Sequence, residues 1–260
     1  MFLQWLWRWF VVLALCAGGT APAVAQSVGT VAAASDLQFA LDAVAALFER
    51  ETGQNLRLVY GSSGNLYSQI VQGAPFQMFM AADEDFVFKL ADAGKTLDRG
   101  RLYALGRIGI LVPAGSVLKA DAGLKDLAVA LKDGRLQKFA IANPEHAPYG
   151  ARAKEALQTA GLWQAIEPHL VLGENISQAT QFAASGSAQG GIVALSLAKL
   201  PQVLGRGTFA LIPQEWHKPL KQRMVLFKDA PAPLRNFYNF IATPAAQEIM
   251  LRYGFAIPTE

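Results

Sequence analysis

Four times along this chain a short apolar run stops at one or two small polar residues and hands over to a stretch of helix formers. Val28 to Ala34 leads into Ser35-Asp36, Leu56 to Tyr60 into Gly61-Ser62-Ser63-Gly64, Phe139 to Ala142 into Asn143 to Gly150, and Val171-Leu172-Gly173 into Glu174-Asn175-Ile176. Apolar runs of this length between turn residues read as strands, and recurrences such as Leu37, Leu41, Val44 and Phe48 read as the buried stripe of a helix. Strands that alternate with helices at this spacing predict α/β layers with mostly parallel sheets. Ligands of such folds sit at the C-terminal ends of strands, where strand feeds helix. All four junctions fall on that edge.

The third junction says most about chemistry. Pro144 and Pro148 hold the chain out of helical geometry, so the next helix is expected to begin no earlier than about Tyr149-Gly150. That sets a tyrosine hydroxyl beside backbone N–H groups that have no intrahelical partner, at the positive end of a helix dipole. Such a terminus suits an anion. At the first junction Ser35 followed by Gln38 has the spacing of a capping box. Taken singly, Ser35, Ser63 and Asn175 are explained as helix caps and Tyr149 as packing; four uncharged polar junctions together point to a shared anion. Asp36 and Glu174 suit first-turn positions favoured by the dipole. The Asp36 side chain is expected to point to solvent and to offer only its backbone N–H.

Further elements complete the alternation. Phe76 to Ala82 reads as a strand, Asp83 as the cap of a helix through Ala93, and Leu102 to Val112 as an extended segment crossing between domains. A softer helical region spans Lys119 to Leu131. Gly190 to Leu195, Phe209 to Ile212 and Met224 to Phe227 read as strands, and Pro233 to Ala242 and Pro244 to Tyr253 as closing helices.

Several classes of function find no support. Arg8, the apolar run Phe10 to Ala17 and the small-x-small site Ala23-Val24-Ala25 read as a secretory leader cleaved after Ala25. The run is shorter than the ~20 residues of a membrane span, and bulky Leu15 before Cys16 argues against a lipoprotein. Cys16 is the only cysteine and lies in the leader, so no disulfide framework is possible in the mature chain. The chain has 23 basic residues, Arg8 among them, against 20 acidic, an even balance without a basic cluster that disfavours nucleic acid as partner. His146, His169 and His217 lack metal-ligand spacing to one another. Gly61-Ser62-Ser63-Gly64 departs from the G-x-S-x-G elbow, and a hydrolase built on Ser63 would still need a histidine and a carboxylate. Nucleotide-binding glycine motifs are missing.

A-A-A-S-D-L at 32–37, G-S-S-G-N at 61–65, A-N-P-E-H-A-P-Y-G at 142–150, G-E-N-I-S-Q-A at 173–179 and G-I-V-A-L-S at 191–196 resemble the periplasmic molybdate-binding proteins of bacterial ABC importers. The resemblance covers nearly the whole mature chain. It implies an α/β, two-domain periplasmic binding protein of type II, with a mixed, mostly parallel sheet in each domain and two hinge strands, around Gly106 to Leu111 and Gln222 to Leu226. The expected division is residues 1–25 as leader, 26–108 with 224–260 as domain I, and 109–223 as domain II. It further implies no catalytic activity and no cofactor. The ligand would be molybdate or tungstate, held through its oxygens by the hydroxyls of Ser35, Ser63 and Tyr149 and backbone N–H groups at Asp36 and Ile176. Ala194 stands where some members carry a tyrosine and is left without a ligand role. The implied setting is a periplasmic monomer that serves an inner-membrane ABC permease with its ATPase. A receptor of the same fold for sulfate or phosphate, and a secreted hydrolase using Ser63, are the competing readings.

Overall fold

The computed structural model describes residues 29–258; the leader, its cleavage site and Val28 lie outside them. The chain opens with β1 (Gly29–Ala34), a single 3-10 turn over Ser35–Leu37, α1 (Gln38–Thr52), β2 (Leu56–Gly61), α2 (Ser63–Val71), β3 (Met78–Ala81), α3 (Glu84–Asp92) and β4 (Arg101–Gly106). After Arg107 come β5 (Ile108–Pro113), α4 (Lys125–Lys132), β6 (Phe139–Ala142), α5 (Pro148–Thr159), α6 (Trp163–Ile166), β7 (Leu170–Gly173), α7 (Ile176–Ala184) and β8 (Gly191–Ala194). Short helices α8 (Leu195–Ala198) and α9 (Pro201–Leu204), strands β9 (Gly207–Leu211) and β10 (Leu220–Leu226), and helices α10 (Ala232–Phe240) and α11 (Pro244–Arg252) complete it.

The strands form two five-stranded sheets, ordered β2-β1-β3-β10-β4 and β7-β6-β8-β5-β9. Within each, three neighbouring strands run parallel, β2-β1-β3 in one and β7-β6-β8 in the other. A strand arriving from the far lobe then pairs antiparallel, β10 against β3 and β4, and β5 against β8 and β9. Two mixed sheets, each flanked by helices, make an α/β molecule of two lobes. The chain leaves the first sheet at Gly106, enters the second at Ile108 and returns over residues 212–219.

Local chemistry explains the elements that aim the junctions. β1, β3 and β6 are covered on both faces, so they are continuous apolar runs rather than alternating ones. Asp83, Ser62 and Asn175 cap α3, α2 and α7, each side chain accepting from a first-turn N–H. Gly53 ends α1 at φ +69°, a left-handed turn that a side chain would disfavour. Behind the first sheet Phe48 of α1 meets Phe237 and Phe240 of α10 edge-on, at ring separations of 5.2 and 5.3 Å. This anchors α1 to the closing helices.

Three local expectations need correction. Ser35 caps nothing: it opens the 3-10 turn without a side-chain capping bond, because the tighter turn carries its hydroxyl away from the helix axis. α5 begins at Pro148, since a proline at the first helical position loses only an N–H that would be unpaired there anyway. The helical region at Lys119–Leu131 is confined to α4, because Asp121 takes the N–H groups of Lys125 and Asp126 and fixes the helix start there.

Candidate functional site: a small void between the lobes

All four junctions converge. Ala34, Ser35 and Asp36 from the end of β1, Gly61, Ser62 and Ser63 from the β2–α2 turn, and Ala82 after β3 face Ala147, Pro148, Tyr149 and Ile176 from the other lobe. Between them lies a narrow void of about 10 Å³, far below the roughly 300–1,000 Å³ of pockets for drug-sized ligands. Its lining contains no lysine, arginine or histidine. The five residues expected at the site, Ser35, Asp36, Ser63, Tyr149 and Ile176, all belong to that lining; Ala194 does not.

Each polar group has a definable capacity. Ser35 is buried, and its Oγ has no hydrogen-bond partner, a costly state for a hydroxyl unless something else occupies the void. Ser63 is fully buried at the first position of α2, where its Oγ accepts the Ala82 N–H at 2.9 Å. That bond uses a lone pair and leaves the hydroxyl proton free to donate. Ile176 opens α7 directly after its cap Asn175, Tyr149 stands in the first turn of α5, and Ser63 starts α2. The first turns of three helices therefore border one small volume. Hydroxyl donors, N–H groups and helix dipoles without a cation suit an anion that accepts hydrogen bonds on every side.

Asp36 departs from expectation. Its side chain does not face solvent; the residue is 1% exposed. Oδ2 accepts from Tyr149 Oη at 2.9 Å and from Gln222 Nε2 at 2.6 Å, while Oδ1 has no partner. The 3-10 turn is the physical reason, because it swings residue 36 inward toward the lobe interface instead of placing it on the outer face of α1. Burial pushes the Asp36 carboxyl up to about 6, the hydrogen bonds from Gln222 and Tyr149 opposing the shift. Burial likewise pushes the Tyr149 and Tyr103 hydroxyls up, with the Asp36 charge adding to it.

Gln222, Tyr103, Ser62 and His146 belong to the site's surroundings, and sequence reasoning does not single them out as such. Gln222 of β10 is fully buried, and Tyr103 Oη donates to its Oε1 at 2.9 Å, which turns its amide nitrogen toward Asp36 and Tyr149. A signal for it exists: Leu220, Gln222 and Met224 share one phase of the strand, and the polar residue sits where the alternation calls for an apolar one. Ser62 Oγ shares a hydrogen bond with His146 Nδ1 at 2.9 Å. His146 Nε2 lies 3.7 Å from Glu174 Oε2, an order of groups that resembles a triad in outline only. The Glu174 side chain is 71% exposed and beyond hydrogen-bond range, and Ser62 Oγ is engaged as the α2 cap.

The lobes touch around the void. Ser177 and Ser196 donate to the carbonyls of Ser35 and Asp36 at 3.0 and 2.9 Å, Gly64 N donates to His146 O at 2.8 Å, and Arg152 pairs with Asp83.

Two hinged α/β lobes meeting over a small void whose hydroxyls and helix N-termini suit an anion define a solute-binding protein. The sequence profile of the family described as bacterial extracellular solute-binding protein matches residues 30–256. The molybdate-binding protein ModA of Rhodobacter capsulatus is 38% identical over 259 residues, covering 98% of each chain. ModA of Azotobacter vinelandii is 35% identical over 251 residues, 95% of this chain and 97% of that one. The solved periplasmic molybdate-binding protein of Azotobacter vinelandii superimposes with a TM-score of 0.79 at 28% identity, covering 89% of this chain and all of the other. The chain belongs to the ModA molybdate-binding family of bacterial extracellular solute-binding proteins. Its members are binding proteins rather than enzymes, and the family's anion is a ligand, not a cofactor.

Proposed function

We propose that this chain captures molybdate, and tungstate with it, in the void between its lobes and presents the closed complex to an inner-membrane ABC permease with its ATPase. The observation that carries the reading is the buried, unpartnered Ser35 hydroxyl facing the first turns of helices from the opposite lobe. The donor set is Ser35, Ser63 and Tyr149 by hydroxyl and Ile176 with the turn at Asp36 by backbone N–H. The ion's oxygens accept these bonds; none of the residues is a ligand to the metal atom. The working protein is a periplasmic monomer that starts at Gln26, its two lobes closing against each other about the crossings at Arg107 and residues 212–219.

Isothermal titration with molybdate, tungstate, sulfate and phosphate tests the reading. The expected result is tight binding of the first two and weak or no heat from sulfate and phosphate. Preferential binding of sulfate or phosphate overturns it.

A further inference from the structure

The Tyr149 hydroxyl owns one proton, and two acceptors compete for it: the Asp36 carboxylate, which takes it at 2.9 Å in this structure, and any oxyanion in the void that both residues line. Gln222 cannot relieve the competition by turning over, because its Oε1 is held by Tyr103. Nor is there a cation to neutralise the carboxylate, which makes no ion pair among the described residues. The groups that face Asp36 are Tyr149 of α5, Tyr103 of β4, Gln222 of β10 and, on its carbonyl, Ser196 of α8. All are neutral. A second negative charge placed beside an ionised, fully buried carboxylate meets a strong like-charge penalty in a low-dielectric site.

Resting on the oxyanion reading of the void, we infer that capture of the dianion takes up one proton at Asp36, so that the carboxyl is neutral in the closed complex and sets the site's preference for fully deprotonated oxyanions. The proton comes from solvent as the lobes close. It joins Oδ2, which then donates to Tyr149 Oη, and the tyrosine turns its own proton to the ligand. Gln222 Nε2 goes on donating to the same pair. One added proton thus satisfies both acceptors, where an ionised Asp36 leaves one of them short. Burial of the Asp36 carboxyl, opposed by its bonds from Gln222 and Tyr149, favours the same neutral form.

Calorimetry of the wild-type protein with molybdate, in buffers of different ionisation enthalpy at pH ~7.5, reads the proton directly. The expected result is uptake of close to one proton per ion, with affinity level below pH about 6 and falling about tenfold per pH unit above it. Asp36→Asn, whose amide supplies the donor permanently, should abolish both the uptake and the slope; retention of both would assign the proton to another group such as His146 and overturn the inference. An infrared difference spectrum of the wild type should show a protonated carboxyl band appearing on molybdate addition and shifting in heavy water, a readout that needs no variant. Molybdate binding without proton exchange overturns the inference and leaves the oxyanion reading intact. Preferential binding of phosphate without uptake from buffer means that the proton arrives on the ligand and also overturns it, and no binding of molybdate or tungstate at any pH overturns both.

Discussion

At the scale of single residues, the buried Asp36 carboxyl costs stability at neutral pH. A carboxyl whose folded pKa is about 6 instead of 3.8 holds its proton more tightly folded than unfolded. Its stabilising contribution is therefore complete below the unfolded value and lost as the pH rises through about 6. Two pKa units at ~1.4 kcal/mol each put the cost at about 3 kcal/mol. Asp36→Asn should stabilise the ligand-free protein by up to about that amount in urea titrations at pH ~8, with the gain shrinking toward pH ~4. An equal gain at both ends would show that the carboxyl is not the cause. The two serines separate differently. Ser35→Ala deletes a hydroxyl with no protein partner, so folding stability should hardly change while molybdate affinity falls roughly 10- to 100-fold, the worth of one hydrogen bond to a charged ligand. Ser63→Ala also strands the buried Ala82 N–H, so it should lose a further ~1–3 kcal/mol of stability. Equal stability losses in the two variants would refute the assignment. Residue types are legible in the sequence because small polar residues recur at four strand ends, although each alone also reads as a helix cap. The orientation of Asp36 is not, since the groups that draw it inward, Tyr149 and Gln222, lie 113 and 186 positions away.

At the scale of elements, the four strand-to-helix junctions are readable from local chemistry because apolar runs and turn residues act within a few positions, with side-chain caps at two of them, Ser62 and Asn175. The elements without a signal, α6, α8 and α9, are four residues each and too short to carry a helical period. The apolar pattern starts the strand of β10 at Met224, but the strand begins at Leu220 and puts Gln222 opposite Ala104 of β4. Its early half is hidden by polar residues that pair with the neighbouring strand and, at Gln222, point into the site. Close approach of elements is where substitution tells most. A Cβ on Gly64, in the first turn of α2, would lie 2.5 Å from the His146 carbonyl of the opposite lobe. Gly64→Ala should leave each lobe folded yet keep α2 from seating against the β6–α5 loop, lowering molybdate affinity by at least ~10-fold. Circular dichroism should be unchanged while calorimetry shows the loss; full affinity would mean that the loop yields without cost.

For the whole molecule, the contacts across the void decide what the ligand has to accomplish. Ser177, Ser196, Tyr149 and Arg152 of the second lobe reach groups of the first, yet the surface that they close is polar and holds an unpartnered hydroxyl and an unpartnered carboxylate oxygen. Interfaces of that kind between domains are marginal on their own. These unpartnered polar atoms favour an open arrangement in which water can reach them, and an oxyanion reverses the balance by accepting from donors of both lobes at once. Molybdate should therefore lower the radius of gyration in small-angle scattering. It should also raise the unfolding free energy by about 4 kcal/mol at a thousandfold excess over Kd. Arg152→Ala removes the ion pair to Asp83 without touching the void. It should weaken binding several-fold through the closing equilibrium alone, with the bound state as compact as in the wild type and the dissociation rate raised. Scattering curves that coincide with and without molybdate in a sample that binds it would show that the lobes are locked before the ligand arrives, and the Arg152 variant would then bind as the wild type does.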